Sequence, residues 1–357
     1  MLASLRSPRA LPNKLTVLIA SPFGQKTQTG NWQTARRYAD HLQDAGHSAI
    51  VLAEYDGRQP LPPCDVAIVL HARRSGEVAA ALTQAATPFA VVLTGTDLYA
   101  DLQQPNTPAF ETCRQTIDEA HLVVTLQSRA AEELVRILPQ TLDKRRVIAQ
   151  AVPLADSADW APIYKSGSRA ALTWLISGHV RSEKDPLTGL AGFAHAFPLA
   201  QLADGSPTHL THVGGARDPS AVEALVATAS QLPTGSISLL GARVHEEAVG
   251  LMRTHHCLIQ PSRMEGGALV ISEAAAHRLP VLASRIDGHL GLLGEDYPGY
   301  FQVGEPTDLA RLMRQFAESA TFRDELRSAL IQNTLALTSP ALEKSQLKSL
   351  IERLRQP

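Results

Sequence analysis

Short, nearly unbroken apolar runs recur along this chain, separated by helix-like segments, and that rhythm limits its fold more than any other feature. In the first 150 residues the runs are KLTVLIA, SAIVLAEY, DVAIVLHA, FAVVLTG, HLVVTLQS and RRVIAQAV. A strand with one wet face alternates apolar and polar residues. A strand that is apolar throughout is buried on both faces, as in a parallel sheet covered by helices. The segments between the runs, such as NWQTARRYADHLQDAGH, carry the spacing of amphipathic helices. The prediction is an α/β doubly wound unit. A second set, ALTWLIS, LTHVGG, SISLLG, HHCLIQPS and LPVLAS, begins after PLADSADWAPIYKSGSRA at 153–170, which reads as a linker. Two α/β domains are therefore expected, at 14–155 and 168–340. An amphipathic helix at 342–357 has no strand after it and is expected to pack back on the first domain. A chain of 357 residues suits two domains of this size.

The balance of 33 basic and 35 acidic residues argues against a general binder of nucleic acid or membrane surfaces, so no partner of either kind is expected. The three cysteines, Cys64, Cys113 and Cys257, fit neither a disulfide framework nor a CxxC metal site. A reducing, cytoplasmic setting follows from that. Residues 1–13 read as a loose lead-in, and LTVLIA is too short for a signal core or a membrane span.

Chemistry is expected at the loops that follow strands. In LTWLISGHVRSEKDPLTGL, Asp185 suits an N-cap and Pro186 a first helical position, which places His179, Arg181 and Lys184 between a strand end and a helix start. THVGGARDPS repeats the arrangement with Gly214 and Gly215, which permit close backbone approach to a ligand. The third loop is PSRMEGGALVISEAAAHRLPVLAS, 261–284. It places Glu265 before Gly266 and Gly267, and Glu273 within a run of small and aliphatic residues. The amides of Gly267, Ala268 and Leu269 should point from a helix N-terminus toward an anion. Both carboxylates can face one cleft and accept hydrogen bonds from sugar hydroxyls. The competing reading pairs Glu273 with an arginine such as Arg278 or Arg285.

In the first domain, VLHARRSG places His71, Arg73 and Arg74 at a strand end. VLTGTDLYADL does the same for Thr94, Thr96 and Asp97, and FGQKTQTGN brings Gly30 in after the first strand. Two adjacent arginines suit a small polyanion, because guanidinium groups bind phosphate oxygens in pairs. Asp97 would repel such an anion, so holding the sugar is its alternative role.

The 261–284 segment resembles the Glu-x7-Glu signature of retaining glycosyltransferases of GT-B architecture, family 4 type. The resemblance implies that Glu265 binds hydroxyls of the donor sugar and Glu273 the ribose of the nucleotide. It makes the SGHVRSEKD loop the diphosphate site, with Lys184 as the family lysine. His179 stands at the family's arginine position, where either it or Arg181 supplies the charge. Gly30, Gly214, Gly215, Gly266, Gly267, Ala268 and Leu269 join Glu273 as donor contacts. LHARRS, LTGTDLY and GHVRSEKDP together resemble a narrower group, the selenosugar synthases of selenoneine biosynthesis. That likeness implies transfer of N-acetylglucosamine from UDP-N-acetylglucosamine to selenophosphate. His71, Arg73, Arg74, Thr94, Thr96 and Asp97 would then be the acceptor site. No Asp-x-Asp pair occurs, so no metal and no resident cofactor is expected. The alternatives are a GT-B transferase acting on a hydroxyl of a sugar, lipid or metabolite, a nucleotide-sugar epimerase, and a non-enzymatic nucleotide-sugar-binding protein.

Overall fold

The computed structural model describes residues 14–24, 29–165 and 170–356, so the expected lead-in at 1–13 lies outside the described residues. Parts of the FGQKTQTGN loop and of the linker lie outside them too. The first unit runs β1 (Thr16–Ser21), α1 (Gly30–Asp44), β2 (Ser48–Ala53), β3 (Val66–Leu70), α2 (Gly76–Gln84), β4 (Phe89–Val92) and α3 (Thr96–Tyr99). It continues with α4 (Pro108–Glu119), β5 (Leu122–Thr125), α5 (Ser128–Ile137) and β6 (Arg145–Val147). The second unit runs β7 (Leu172–Ser177), α6 (Pro186–Ala196), β8 (Thr208–Val213), α7 (Pro219–Ser230), β9 (Ile237–Leu239), α8 (His245–Gly250) and β10 (Cys257–Gln260). It closes with α9 (Leu269–Ala276), β11 (Val281–Ser284), α10 (Asp287–Leu293), β12 (Tyr300–Phe301), α11 (Pro306–Glu318) and α12 (Ala320–Thr334), before α13 (Pro340–Leu354).

Each unit holds a six-stranded sheet, ordered β2-β1-β3-β4-β5-β6 in the first and β12-β11-β10-β7-β8-β9 in the second, and every pairing is parallel. The apolar runs are explained by β1. Val17 and Ile19 enter one core cluster and Leu18 and Ala20 the other, so both faces of the strand are buried. On α1, Ala35, Tyr38, Ala39 and Leu42 turn inward at helical spacing, and the Thr29 hydroxyl caps the helix by accepting from the Trp32 amide. Leu347, Leu350, Ile351 and Leu354 of α13 join the core under β1 and β3. Glu343, on the same helix, accepts from Arg37 Nε at 2.7 Å and Arg37 Nη2 at 3.0 Å.

Two details depart from the sequence reading. Of RRVIAQAV only Arg145–Val147 pairs with β5; Ile148 turns into the core and Gln150 donates to the Thr34 hydroxyl at 2.6 Å, so the chain leaves the sheet early. The strand β12 was not anticipated, since two residues are too short to show any period.

Strand order also fixes where a ligand can sit. In the second sheet the direction of winding reverses between β10 and β7, and in the first between β1 and β3. Open parallel sheets form their binding crevice at the carboxyl ends of the strands at such a reversal.

Candidate functional site

The loops after β7 and β10 must be neighbours, because Cys257 and Leu258 pair with Trp174 and Leu175. Asp185 pins the first of them. It takes up a left-handed conformation at φ 44°, accepts from the Thr188 amide and hydroxyl, and pairs with Arg263 Nη2 at 2.8 Å. Lys184 is thereby held toward the second loop, where its Nζ donates to Glu265 Oε1 at 2.6 Å. Ser262 Oγ donates to the same oxygen at 2.6 Å and Gln260 Nε2 at 2.9 Å. Burial raises the Glu265 carboxyl, but Lys184, with help from His289 and Ser262, outweighs it and brings it to about 2. This carboxylate is charged at neutral pH and faces a cleft of about 880 Å³.

The neighbouring exits, after β7 and β8, are built on glycines. Gly214 sits at φ 157°, and a Cβ there would overlap the Gly178 carbonyl, so the exits of β7 and β8 close on each other only with glycine. Gly215 donates its amide to His179 Nδ1 at 3.0 Å. Burial, then the nearby charges of Arg217, Arg181 and Lys184, push His179 down to about 4. His179 is therefore neutral at pH 7 and orients the glycine turn; it does not supply the positive charge expected at this position. Arg181 lines the cleft, with Nε 4.0 Å from Glu183 Oε2.

The Gly266–Gly267 turn leads into α9. Ala268, at φ 26°, precedes the helix with no side-chain cap, so the first amides of α9 open on the cleft beside Leu269 and Val270. Gly266 also marks where the domains meet. A Cβ on it would strike the Thr94 carbonyl group, and one on Gly95 would lie 2.9 Å from the Gly266 amide nitrogen. Glu273 lies further along α9 and pairs with neither Arg278 nor Arg285. Arg278 stacks on Trp160, Arg285 pairs with Glu295, and Glu273 Oε1 instead meets His245 Nε2 at 3.1 Å. Sequence reasoning missed His245, because nothing in the pattern around α8 indicates which helix it reaches.

On the first-domain side, β3 and β4 are neighbours, so their exit loops interlock. Asp97 is wholly buried, and its carboxylate accepts from the amides of Ala72, Thr94, Gly95 and Leu98. Those bonds occupy both oxygens, so Asp97 staples the two loops and is not placed to hold a ligand. His71, left-handed at φ 70° and buried, accepts from the Arg74 amide at Nδ1 and donates from Nε2 to the Thr96 hydroxyl at 3.0 Å. Burial lowers its pKa, so it braces Thr96 as a neutral ring at the edge of the expected acceptor site. Arg73 is committed to Asp101, at 2.7 Å. Arg74 packs over the Phe23 ring and has no carboxylate within 4.0 Å among the described residues. Thr94, Thr96, Gly30, Arg73 and Arg74 all line the cleft that Lys184 and Glu265 line from the other side.

Residues 173–319 match the family described as glycosyl transferases group 1. That stretch runs from β7 to the end of α11 and so takes in most of the second domain. A Xenopus tropicalis protein named glycosyltransferase 1 domain-containing protein 1 is 22% identical over 349 residues, covering 92% of this chain and 96% of that one. Among solved structures, sucrose-phosphate synthase from Thermosynechococcus elongatus superposes with a TM-score of 0.74 at 16% identity, covering 95% of this chain and 98% of the other. HepE from Anabaena, in complex with UDP and glucose, gives 0.71 at 13% identity, with 95% and 99% covered. These likenesses establish the GT-B fold: the two six-stranded parallel sheets are its two Rossmann-like domains. The chain is a glycosyltransferase with both domains in place. No helix among the described residues is long and apolar enough to cross a membrane. No cluster of metal-ligating side chains occurs among them either.

Proposed function

We propose that this glycosyltransferase moves N-acetylglucosamine from UDP-N-acetylglucosamine to selenophosphate, as the likeness of its loops to the selenosugar synthases implies. The observation that carries the acceptor half is Arg74: a cation on the acceptor side of the cleft, unpaired with any described carboxylate, suits a small oxyanion. HepE, with UDP and glucose bound in the same fold, supports a UDP-sugar as donor.

In this reading the diphosphate lies between Lys184 and the start of α9, Glu265 takes sugar hydroxyls and Glu273 the ribose. As the bond from C1 to the phosphate oxygen breaks, UDP departs with the electron pair. Its growing charge meets the Lys184 ammonium and the helix amides, both fixed in advance. The selenium of selenophosphate forms the new bond to C1. That nucleophile arrives as an anion, so no side chain needs to remove a proton from it. Arg74, with Arg73 braced on Asp101, holds it against repulsion from the diphosphate. The close seating of Thr94–Gly95 on Gly266 keeps water from the reacting carbon.

Incubation with UDP-N-acetylglucosamine and selenophosphate, with phosphate and thiophosphate as controls, tests this by mass spectrometry. A hexosamine bearing selenium, formed along with UDP, is the expected product. UDP release that does not depend on selenophosphate, or sugar appearing on a hydroxyl acceptor, overturns the acceptor assignment.

A further inference from the structure

Glu273 is a carboxylate 6% exposed, on a helix that lines the cleft, and its side chain meets no Lys or Arg within 4.0 Å among the described residues. Its partner, His245, is the first residue of α8, which follows the edge strand β9. Both side chains line the main cleft and also a second cavity of about 780 Å³ beside it, so the pair stands at the neck between the two. The ion pair reaches one oxygen: His245 Nε2 lies 3.1 Å from Oε1. A carboxylate held by one oxygen and open at the other is oriented to receive hydroxyl donors at a fixed angle.

We propose that His245 is a positioning residue for the nucleotide end of the donor, holding Glu273 so that its second oxygen is presented to a vicinal diol such as ribose. The inference rests on the UDP-sugar reading above. The charged groups facing the imidazole are Glu273 from α9, Glu246 on its own helix and Arg37 from α1, while Arg36, Asp40 and Arg253 line the second cavity. The Glu273 bond raises the pKa of His245 above its ordinary 6.5, with burial opposing it. The charged pair is therefore complete below the ordinary value and is lost as pH climbs through the raised one. Ribose recognition should weaken over that upper window.

Calorimetric binding of UDP and of 2′,3′-dideoxy-UDP to the full chain, across about pH 6.5 to 9, tests the proposal; the ratio of the two affinities cancels any titration of the phosphates. The wild type should prefer UDP, and less so at the alkaline end. His245→Ala should weaken UDP about tenfold and leave the dideoxy nucleotide unaffected, which a general loss of folding would not do. His245→Gln, which keeps a single N–H donor, should recover most of the preference and show no pH dependence. The proposal is overturned if His245→Ala keeps the wild-type preference while Glu273→Ala loses it. If Glu273→Ala also keeps it, or the wild type binds no UDP, the donor reading itself fails and this inference with it.

Discussion

Removing Lys184 should expose how strongly the donor loop depends on one charge pair. Glu265 is 9% exposed, and Lys184 Nζ is 2.6 Å from its Oε1. Holding a carboxyl down from 4.5 to about 2, against the burial that would raise it, corresponds to about 3 kcal/mol. Because the folded value is depressed, this contribution is fully present above pH 4.5 and fades as the pH falls toward 2. Lys184→Met should therefore cost about 3 kcal/mol of second-domain stability at pH 7, within the range for breaking a buried pair on one side only. Adding Glu265→Gln should return most of it, since no unpaired charge then stays buried. Urea unfolding at pH 7 and at acid pH measures both variants, and the deficit of Lys184→Met should shrink on acidification. Turnover separates fold from chemistry: both variants should lose at least about a hundredfold, because the rescued fold still lacks the cation facing the leaving group. A Lys184→Met protein as stable as wild type, or a double variant no better than the single one, would refute the idea that Lys184 compensates the buried glutamate.

Gly214→Ala should abolish UDP binding in calorimetry while the first domain still unfolds normally, because its Cβ meets the Gly178 carbonyl and displaces the 178–184 loop. Arg74→Ala should raise the KM for the anionic acceptor about tenfold and leave the donor KM unchanged; Arg73→Ala should do less to acceptor binding, since Asp101 already holds its charge. Glu343→Gln should cost about 2–4 kcal/mol and make the chain end more open to protease, because it removes the carboxylate that Arg37 and His41 share under α13. His179→Asn should leave the rate profile between about pH 6 and 8 unchanged in shape, since His179, at about 4, does not titrate there.

The sheets were legible because burial on both faces writes itself into the residues: β3 is apolar end to end and β1 and β5 nearly so, with side chains alternating between two cores. The loop positions of Lys184 and Glu265 followed from strand ends and helix starts, which are local signals. The fate of each polar group was not local. Asp97 reads like a ligand until five amide contacts from two loops are found on its carboxylate. His179 reads as a cation, and its burial beside Arg217, Arg181 and Lys184 makes it neutral; burial lowers His71 as well, against the pull of Asp97. Glu273 has arginines near it in the chain, whereas its partner His245 comes from α8, nearly thirty residues earlier.

Those corrections bear on how the cleft discriminates. With His71 and His179 neutral and Arg73 held by Asp101, Lys184 and Arg181 carry charge at the second-domain wall and Arg74 at the first-domain wall. Lys184 already answers a carboxylate, so its attraction for a diphosphate is tempered until the donor sugar engages Glu265. Arg74 has no carboxylate tether among the described residues and packs over Phe23. An anion that enters first should therefore settle at Arg74, and the donor at Lys184 gains from the glutamate it displaces. Initial rates measured while both substrates vary test this. A free acceptor anion in excess should compete weakly with UDP, and competition as strong as that of pyrophosphate would mean that the two walls do not divide the work.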